Sequence, residues 1–443
     1  MKLDHHIADA FRKEFGDWRI WSARCLVIAA AALAGLTVVG FTWLSEHALN
    51  VFFALRSALW WSPIIWTPLC TGAIVWLGRK YAMGAAGSGI PQVMAALDPI
   101  VGSNHRGMFV SLRLSAAKIL LTAWGLLAGL SLGREGPSVQ IAAGVMLAMR
   151  RWLPKRSGVT PHGLLVAGGA AGIAAAFNTP LAGVMFAIEE LSRVPEQRSS
   201  GLLVACIVLA GLIAVSITGN ATYFGIIHAT EMGWSVLVPG LMVTICSGLA
   251  GGLFSRLLIA SLSGQSMDRA SRFRVSHPVL FGAACGLAVA AIGLATNGAT
   301  FGSGYAHTRH MLEGTENTPA VYVLFKFVAT WLTTWSGVPA GIFAPSLAIG
   351  AALGNDVAMF FHSPEAPALI ALGMAGFLAA VTQAPLTSFI IVMEMVDGHA
   401  MVLSLMACAL VASIISRVLS RPLYHSLALI QLKRLPAKEN QDQ

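Results

Sequence analysis

The amino-acid sequence predicts an all-α protein that crosses a membrane many times. Three observations support this fold class: the composition, the spacing of the charged residues and an internal repeat. The 443 residues are 56% hydrophobic and only 11% charged, with a mean hydropathy of +0.71. Because soluble domains carry about 25% charged residues, this composition indicates lipid as the main solvent.

Long apolar stretches carry no acidic or basic residue apart from histidine. A helix needs roughly 20 apolar residues to span the hydrocarbon core, so each stretch holds one spanning helix or two shorter, tilted ones. Together they predict about ten or more helical segments. The stretches are 25–45, 57–78, 199–230, 327–355 and 366–393.

The formal net charge of +9 is clustered in short segments beside the apolar stretches. Positive charge in such positions marks the cytoplasmic side of a membrane protein. We therefore expect both termini and these loops inside the cell, and no nucleic-acid partner. The basic residues are Arg12, Lys13, Arg19, Arg24, Arg150, Arg151, Lys155, Arg156, Arg269, Arg272, Arg274, Arg417, Arg421, Lys433, Arg434 and Lys438.

The predicted domain plan has two membrane repeats, at 24–220 and 236–432, joined by a connection at 221–235. Residues 1–23 are expected to form an amphipathic segment on the inner membrane surface rather than a secretory signal peptide, and 433–443 a short cytoplasmic tail. The six cysteines are scattered through apolar stretches without CxxC spacing. They are therefore expected to be small core residues, with no metal site and no cofactor.

An internal repeat relates the two halves. Residues 168–191 align with 373–396 at one offset, and a similar offset aligns 133–138 with 341–346. Such symmetry fits the inverted repeats of secondary transporters, whose substrate site lies between the halves near the bilayer midplane. The matched pairs that are not alanine are Gly168 with Gly373, Pro180 with Pro385, Leu181 with Leu386, Glu189 with Glu394, Gly133 with Gly341, Pro137 with Pro345, and Ser138 with Ser346.

Three glycine- and proline-containing motifs interrupt the apolar stretches: GSGIP at 87–91, GREGP at 133–137 and GIFAP at 341–345. Proline in the first turn of a helix costs nothing, so each motif is interpreted as a loop that opens a helix within the membrane. Free N–H groups at three converging helix starts would bind an anion without holding it too tightly to leave. Close helix packing at small residues is the alternative interpretation.

The three motifs, in this order and at these intervals, resemble the signature motifs of CLC chloride channels and transporters. The stretches AAFNTPLAGVMFAIEE (175–190), APLTSFIIVMEM (384–395) and RPLYHSL (421–427) add to a resemblance that covers essentially the whole chain. The resemblance implies the CLC-type fold of two inverted helical repeats with broken and tilted helices. It also implies a homodimer in the bacterial inner membrane, with one chloride path per subunit and proton-coupled transport.

The resemblance assigns the anion-binding groups. Ser88 matches the serine whose hydroxyl holds the central chloride, and Tyr424 matches the tyrosine that closes the ion on its inner side. The backbone amides of Ile342 and Phe343 match the remaining donors. Hydroxyls and amides donate to an anion and carry no charge. Taken alone, Ser88 also suits a helix cap and Tyr424 an aromatic anchor at the membrane interface.

Two glutamates are the expected proton sites. A carboxylate inside an apolar stretch is costly, and Glu135 resembles the external gating glutamate, which competes with chloride when ionised and moves away when protonated. A salt bridge to Arg134 is the alternative. Glu190 resembles the internal proton-transfer glutamate and Glu189 is its neighbour in the same pattern, although either carboxylate could lie at the cytoplasmic membrane edge.

Several residues are expected to support the site. Gly133, Arg134, Gly136 and Pro137 belong to the second motif, and Lys118 matches a buried lysine of the family. A lysine whose head group reaches the membrane surface is the other interpretation of Lys118. Gln92 and Met94 depart from the family pattern, in which glutamate often follows GSGIP, so polar contacts near the inner proton route are expected to differ.

The leading prediction is a chloride/proton antiporter, with a passive gated chloride channel on the same fold as the alternative. Glu190 disfavours the channel, Ser88 disfavours fluoride export, and the absence of proline at position 88 disfavours nitrate preference. Motifs of metalloproteases and serine hydrolases are missing from the sequence, which argues against an enzyme. A structural scaffold would leave Glu135 and the three motifs unexplained. No cytoplasmic nucleotide-sensing domain pair is expected.

Overall fold

The structure is a computed structural model that describes residues 18–154, 158–192, 200–219, 224, 236–264, 268–315, 319–433 and 435. Within these ranges the chain forms 18 α-helices and no named strand. The first half contains α1 Trp18–Ala58, α2 Ser62–Tyr81, α3 Ile90–Leu97, α4 Leu112–Leu127, α5 Glu135–Ala148, α6 Pro161–Phe177, α7 Pro180–Phe186 and α8 Ser200–Thr218. The second half contains α9 Leu237–Ser263, α10 Arg269–Ser276, α11 Pro278–Ala295, α12 Tyr305–Leu312, α13 Val321–Trp335, α14 Phe343–Phe361, α15 Ala366–Thr382, α16 Pro385–Met395, α17 Val402–Leu419 and α18 Leu423–Leu432.

Helices of two lengths build the molecule. Six helical segments of the described chain are long and apolar enough to cross a membrane. Others are apolar but only 10 to 17 residues long, such as α6 and α15, and fall short of the roughly 20 residues that a full span requires. Short helices joined end to end by proline-containing turns are the broken helices that the sequence predicts.

The two halves repeat the same packing. In the first half α5 packs against α6 and α1 against α8, while in the second α14 packs against α15 and α9 against α17. Small residues allow this close approach: a Cβ added at Gly172 would lie 2.5 Å from the Ser138 carbonyl oxygen, and one added at Gly373 would collide with the Gly350 carbonyl. Close packing through small residues is how membrane helices associate without a hydrophobic driving force.

Equivalent residues of the two halves contact each other reciprocally. Gly133 and Gly341, which the repeat aligns, form an antiparallel bridge, with the Gly133 N–H donating to Gly341 O (2.8 Å) and the Gly341 N–H to Gly133 O (3.2 Å). Reciprocal contacts between matching residues indicate a two-fold axis between the repeats. The all-α fold of two inverted repeats is therefore confirmed.

Several of the predicted boundaries lie outside the described residues. These include most of the N-terminal segment, nearly all of the connection at 221–235 and all but Lys433 and Leu435 of the tail. The basic residues Arg12, Lys13, Lys155, Arg156, Arg434 and Lys438 also fall there. The division at residue 23 falls within α1, and the domain boundaries stay predictions.

Candidate anion-binding site

The three glycine- and proline-containing turns meet at the centre of the molecule. The Gly133–Gly341 bridge joins the second and third turns. The first turn pairs with the approach to the third: the Gly87 N–H donates to Val338 O and the Ala340 N–H to Gly87 O, both at 3.2 Å. The helices that follow the turns, α3, α5 and α14, therefore begin around one shared space.

Glycine is required where the first and second turns touch. Gly89 has a φ of +112°, and a Cβ there would lie 2.5 Å from the Gly136 carbonyl oxygen. A Cβ at Gly136 would collide with the Ser88 hydroxyl. The side chain of Ser88 thus lies directly against the GREGP turn, and a residue larger than glycine at position 89 or 136 would clash.

Two hydroxyls face the shared space. Ser88 is 5% exposed and Tyr424 is fully buried, which excludes an interfacial anchor role for the tyrosine. The two side chains interact electrostatically. Within the described part of the chain, however, neither hydroxyl oxygen has a partner in hydrogen-bond geometry. Buried hydroxyls are normally satisfied, so this pair is suited to donate to a ligand.

The third turn adds backbone donors to the same space. Ile342 precedes α14 and Phe343 is its first residue, so their N–H groups have no acceptor within the helix. Among the described residues no other acceptor binds them. The Phe343 ring stacks on the Tyr424 ring, with centroids 5.9 Å apart and planes 13° apart, which places the tyrosine next to these amides.

Glu135 is fully buried at the first residue of α5. Backbone N–H groups of Glu135 and Ala344 lie close enough to its carboxylate to interact electrostatically. Even so, no described residue meets hydrogen-bond geometry with either carboxylate oxygen. The neighbouring Arg134 pairs with Glu46 at 2.8 Å, and its charge also acts on Glu135 electrostatically.

Glu190 lies in the same pocket as the tyrosine. It is 6% exposed and belongs to a π-helical turn, Ala187–Ser192, that continues α7. Together with Tyr424, Phe186 and Thr387 it lines a small enclosed pocket that has no room for a water molecule. Both Glu190 and Glu135 interact electrostatically with the Tyr424 hydroxyl, so the structure brings these three side chains together.

Glu189 is not among the residues that line this pocket. Its carboxylate accepts hydrogen bonds from the N–H groups of Leu386 (3.1 Å) and Thr387 (2.7 Å), at the start of α16 in the other half. Glu189 is thus a contact between the repeats, while its neighbour Glu190 is buried beside the candidate site.

Lys118 is fully buried, and its Nζ donates to the carbonyl oxygens of Ala85 (2.7 Å) and Gly87 (2.6 Å). The head group does not reach the membrane surface. It instead holds the backbone of the turn that carries Ser88, with one of its two acceptors in the GSGIP motif itself.

Sequence reasoning missed the counterpart of this arrangement in the second half. Lys326 is fully buried, and its Nζ donates to Thr300 O (3.0 Å) and Gly302 O (2.8 Å) in the stretch Gly302-Ser303-Gly304. The signal was present, because Lys326 follows Lys118 by 208 residues, the separation that also relates Gly341 to Gly133. The second half therefore has its own GSG turn with a buried lysine behind it.

Gln92, which departs from the family pattern, stabilises the first turn. Its side-chain oxygen accepts the Gly89 N–H at 3.0 Å, and its side-chain nitrogen donates to the Ala86 carbonyl. A neutral amide satisfies both groups at once, which a carboxylate cannot do because it only accepts.

Metal ligands are not clustered in the part of the chain that is described: no group of three or more His, Cys, Asp or Glu side chains could hold an ion there. The six cysteines are free, and four of them are buried among apolar helices.

Comparison with known proteins identifies the family. The model of the voltage-gated chloride channel family matches residues 70–417. The chain belongs to this family. The H(+)/Cl(-) exchange transporter ClcA of Salmonella paratyphi A is 30% identical over 442 residues, covering 94% of this chain and 89% of that protein. ClcA of Citrobacter koseri is 33% identical over 387 residues, covering 83% and 77%.

Solved structures of the same family share the fold. A slow cyanobacterial Cl⁻/H⁺ antiporter superposes with a TM-score of 0.80 at 24% identity, covering 94% of this chain and 99% of that one. A CLC-type fluoride/proton antiporter gives a TM-score of 0.73 at 21% identity, covering 92% and 97%. The CLC-type fold is thereby confirmed, and the chain is a multi-pass membrane protein.

Proposed function

We propose that the protein exchanges chloride for protons across the membrane. The observation that carries this proposal is the pair of buried carboxylates, Glu135 and Glu190, which both lie within electrostatic range of the Tyr424 hydroxyl. The relatives named above as H(+)/Cl(-) exchange transporters support the same function.

The proposed anion site consists of neutral donors. The hydroxyls of Ser88 and Tyr424 and the N–H groups of Ile342 and Phe343 surround one space and lack other partners among the described residues. Such groups, with the partial positive charge of the α3 and α14 helix starts, attract chloride more weakly than a full positive charge would. Weak binding allows the ion to enter and leave.

Glu135 is proposed to be the outer gate and the outer proton site. The start of α5 favours a negative group, and an ionised Glu135 would occupy that position in place of chloride. Protonation removes the negative charge and with it the attraction to the start of α5. The Glu135 side chain can then move away, and chloride takes its place. The backbone N–H groups of Glu135 and Ala344 interact electrostatically with this carboxylate, and that attraction weakens when the carboxyl group is neutral.

Glu190 is proposed to pass protons between the cytoplasm and the region of Tyr424. Its burial in the pocket that Tyr424 also lines supports this role. A carboxylate that simply lay at the cytoplasmic membrane edge would be exposed. A passive chloride channel on this fold is the second candidate. The buried Glu190 argues against it, because an ionisable group inside the membrane is costly and indicates a function such as proton transfer.

Reconstitution in liposomes tests the proposal. With a chloride gradient as the only driving force, the purified protein should take up protons uphill. Glu135→Ala should keep chloride flux and lose proton movement, and Glu190→Gln should do the same. Chloride flux without proton uptake in the unmodified protein would favour the channel, and intact coupling in Glu135→Ala would exclude the proposed gate.

We further propose a homodimer with one chloride path per subunit, in the inner membrane of a bacterium, with both termini in the cytoplasm and lipid around the apolar helices. The family resemblance and the basic clusters beside the apolar stretches support this arrangement. Chloride is the transported ion in this proposal, with no cofactor and no enzymatic reaction. Cross-linking of protomers in native membranes would test the assembly. Accessibility labelling of cysteines introduced near each terminus would test the orientation.

A further inference from the structure

Two glutamates cap helices of the opposite repeat in a reciprocal way. Glu189, on the extension of α7, accepts the N–H groups of Leu386 and Thr387 at the start of α16 (3.1 and 2.7 Å). Glu394, on α16, accepts those of Leu181 and Ala182 at the start of α7 (3.2 and 2.7 Å).

Each helix needs this partner because it has no cap of its own. α7 begins with Pro180 and α16 with Pro385, and neither preceding residue forms a side-chain cap. Since proline has no N–H, the first free donors are those of the next two residues, which the carboxylate of the other half accepts together. A carboxylate also suits the positive end of a helix.

The two caps differ in what lies beside them. Glu189 is followed by Glu190, the proposed inner proton site, whereas Glu394 is followed by Met395. Thr387, whose N–H is bound by Glu189, also lines the enclosed pocket that Glu190 shares with Tyr424. The Glu189 hydrogen bonds therefore connect the backbone next to Glu190 to Thr387 in the wall of this pocket.

The backbone at this point departs from an ordinary helix. Glu189 and Glu190 both lie in the π-helical turn Ala187–Ser192. Such turns are rare and frequently mark functional sites. Here the turn directs Glu189 toward α16 while Glu190 stays buried at the pocket, so the Glu189 hydrogen bonds anchor a segment of non-standard geometry.

We infer that Glu189 is a positioning residue for proton transfer: as a fixed acceptor at the α16 start, it holds Glu190 at the pocket beside Tyr424 and does not itself carry protons. This inference rests on the proposed exchange. It predicts that losing the Glu189 contacts lowers the number of protons moved per chloride more than it lowers chloride turnover.

A series of variants separates positioning from proton carrying. Glu189→Gln keeps one oxygen acceptor and cannot titrate, whereas Glu189→Leu has no acceptor. The positioning role predicts that the proton-to-chloride ratio falls about two- to tenfold in Glu189→Gln, as expected for one lost hydrogen bond, and further in Glu189→Leu. Equal and complete loss of proton transport in both variants would show that Glu189 carries protons, and would overturn the inference.

Glu394→Leu is the matched control, because it removes the same kind of cap at the equivalent place in the other half. It should lower thermal stability as much as Glu189→Leu does, yet keep a proton-to-chloride ratio close to that of the unmodified protein. Equal loss of the ratio in both variants, or an unchanged ratio in the Glu189 variants, would contradict a specific positioning role. Absence of proton uptake in the unmodified protein would instead refute the proposed exchange itself.

Discussion

The two GSG turns share one scaffold and differ at the serine. Both have two glycines with positive φ and precede a helix of eight residues. A buried lysine lies against each turn and donates to two carbonyls, that of the first glycine and that of the residue two places before it. Ser88, however, is buried and its hydroxyl has no partner in the described chain. Ser303 is half-buried, accepts the Tyr305 N–H at 3.3 Å and lines an open cavity of about 700 Å³.

The residue three places after the second glycine also differs between the turns. Gln92 accepts the Gly89 N–H in the first turn, while His307 in the second packs at a tilt against Tyr322, with ring centroids 4.4 Å apart. The repeat therefore supplies a turn, a helix start and a lysine to both halves. Whether a turn binds an anion depends on the side chains around it, and it is the first turn that touches GREGP and pairs with the approach to GIFAP.

Replacing the lysines should give the largest effect. Lys118→Met and Lys326→Met each leave two buried carbonyls without a donor, at a cost of about 1–3 kcal/mol for each carbonyl. Thermal unfolding of the purified protein should show a similar loss of stability in both variants. Chloride affinity, measured by calorimetry, should fall only in Lys118→Met; equal loss of affinity in both would mean that the turns are functionally alike.

Replacing the serines should give an intermediate effect. Ser88→Ala removes one hydroxyl that donates to a charged ligand, which is worth about 1.5–3 kcal/mol, or roughly ten- to a hundredfold in chloride affinity. Ser303→Ala should leave the affinity unchanged, because its hydroxyl lies outside the meeting point of the three turns. A larger loss of chloride affinity in Ser303→Ala than in Ser88→Ala would place the anion at the Gly302–Gly304 turn and contradict the proposed site.

Replacing Gln92 should give the smallest effect on chloride affinity. Gln92→Leu leaves the Gly89 N–H without its acceptor and the Ala86 carbonyl without its donor, at about 1–3 kcal/mol of unfolding free energy for each buried group. It loosens the turn that carries Ser88 but removes no group that is proposed to contact the ion. The matched variant His307→Phe keeps an aromatic ring against Tyr322 and should leave chloride affinity unchanged. Unaltered stability in Gln92→Leu would show that the lysine alone holds the first turn.

The sequence predicted the architecture because the signals that govern it are local. Uncharged stretches predict helices, and proline after glycine predicts the turns at residues 91, 137 and 345. The repeat even predicted the alignment of Glu189 with Glu394. It gave no sign that these glutamates cap each other's helices, because a hydrogen bond between the halves depends on how the two repeats dock.

Other features of the site also depend on the assembled fold. The pairing of Arg134 with Glu46 joins residues 88 positions apart, and no local pattern marks it. The π-helical turn Ala187–Ser192 is not marked in the sequence, because its residues would suit an ordinary α-helix. The Lys326 arrangement, in contrast, could be predicted from its spacing of 208 residues from Lys118.

Anomalous scattering from crystals grown in bromide tests the central claim most directly. We expect a bromide peak within hydrogen-bonding distance of the Ser88 and Tyr424 hydroxyls and the Ile342 and Phe343 N–H groups, with none at Ser303. A peak at the Gly302–Gly304 turn together with an empty space beside Ser88 would contradict the account.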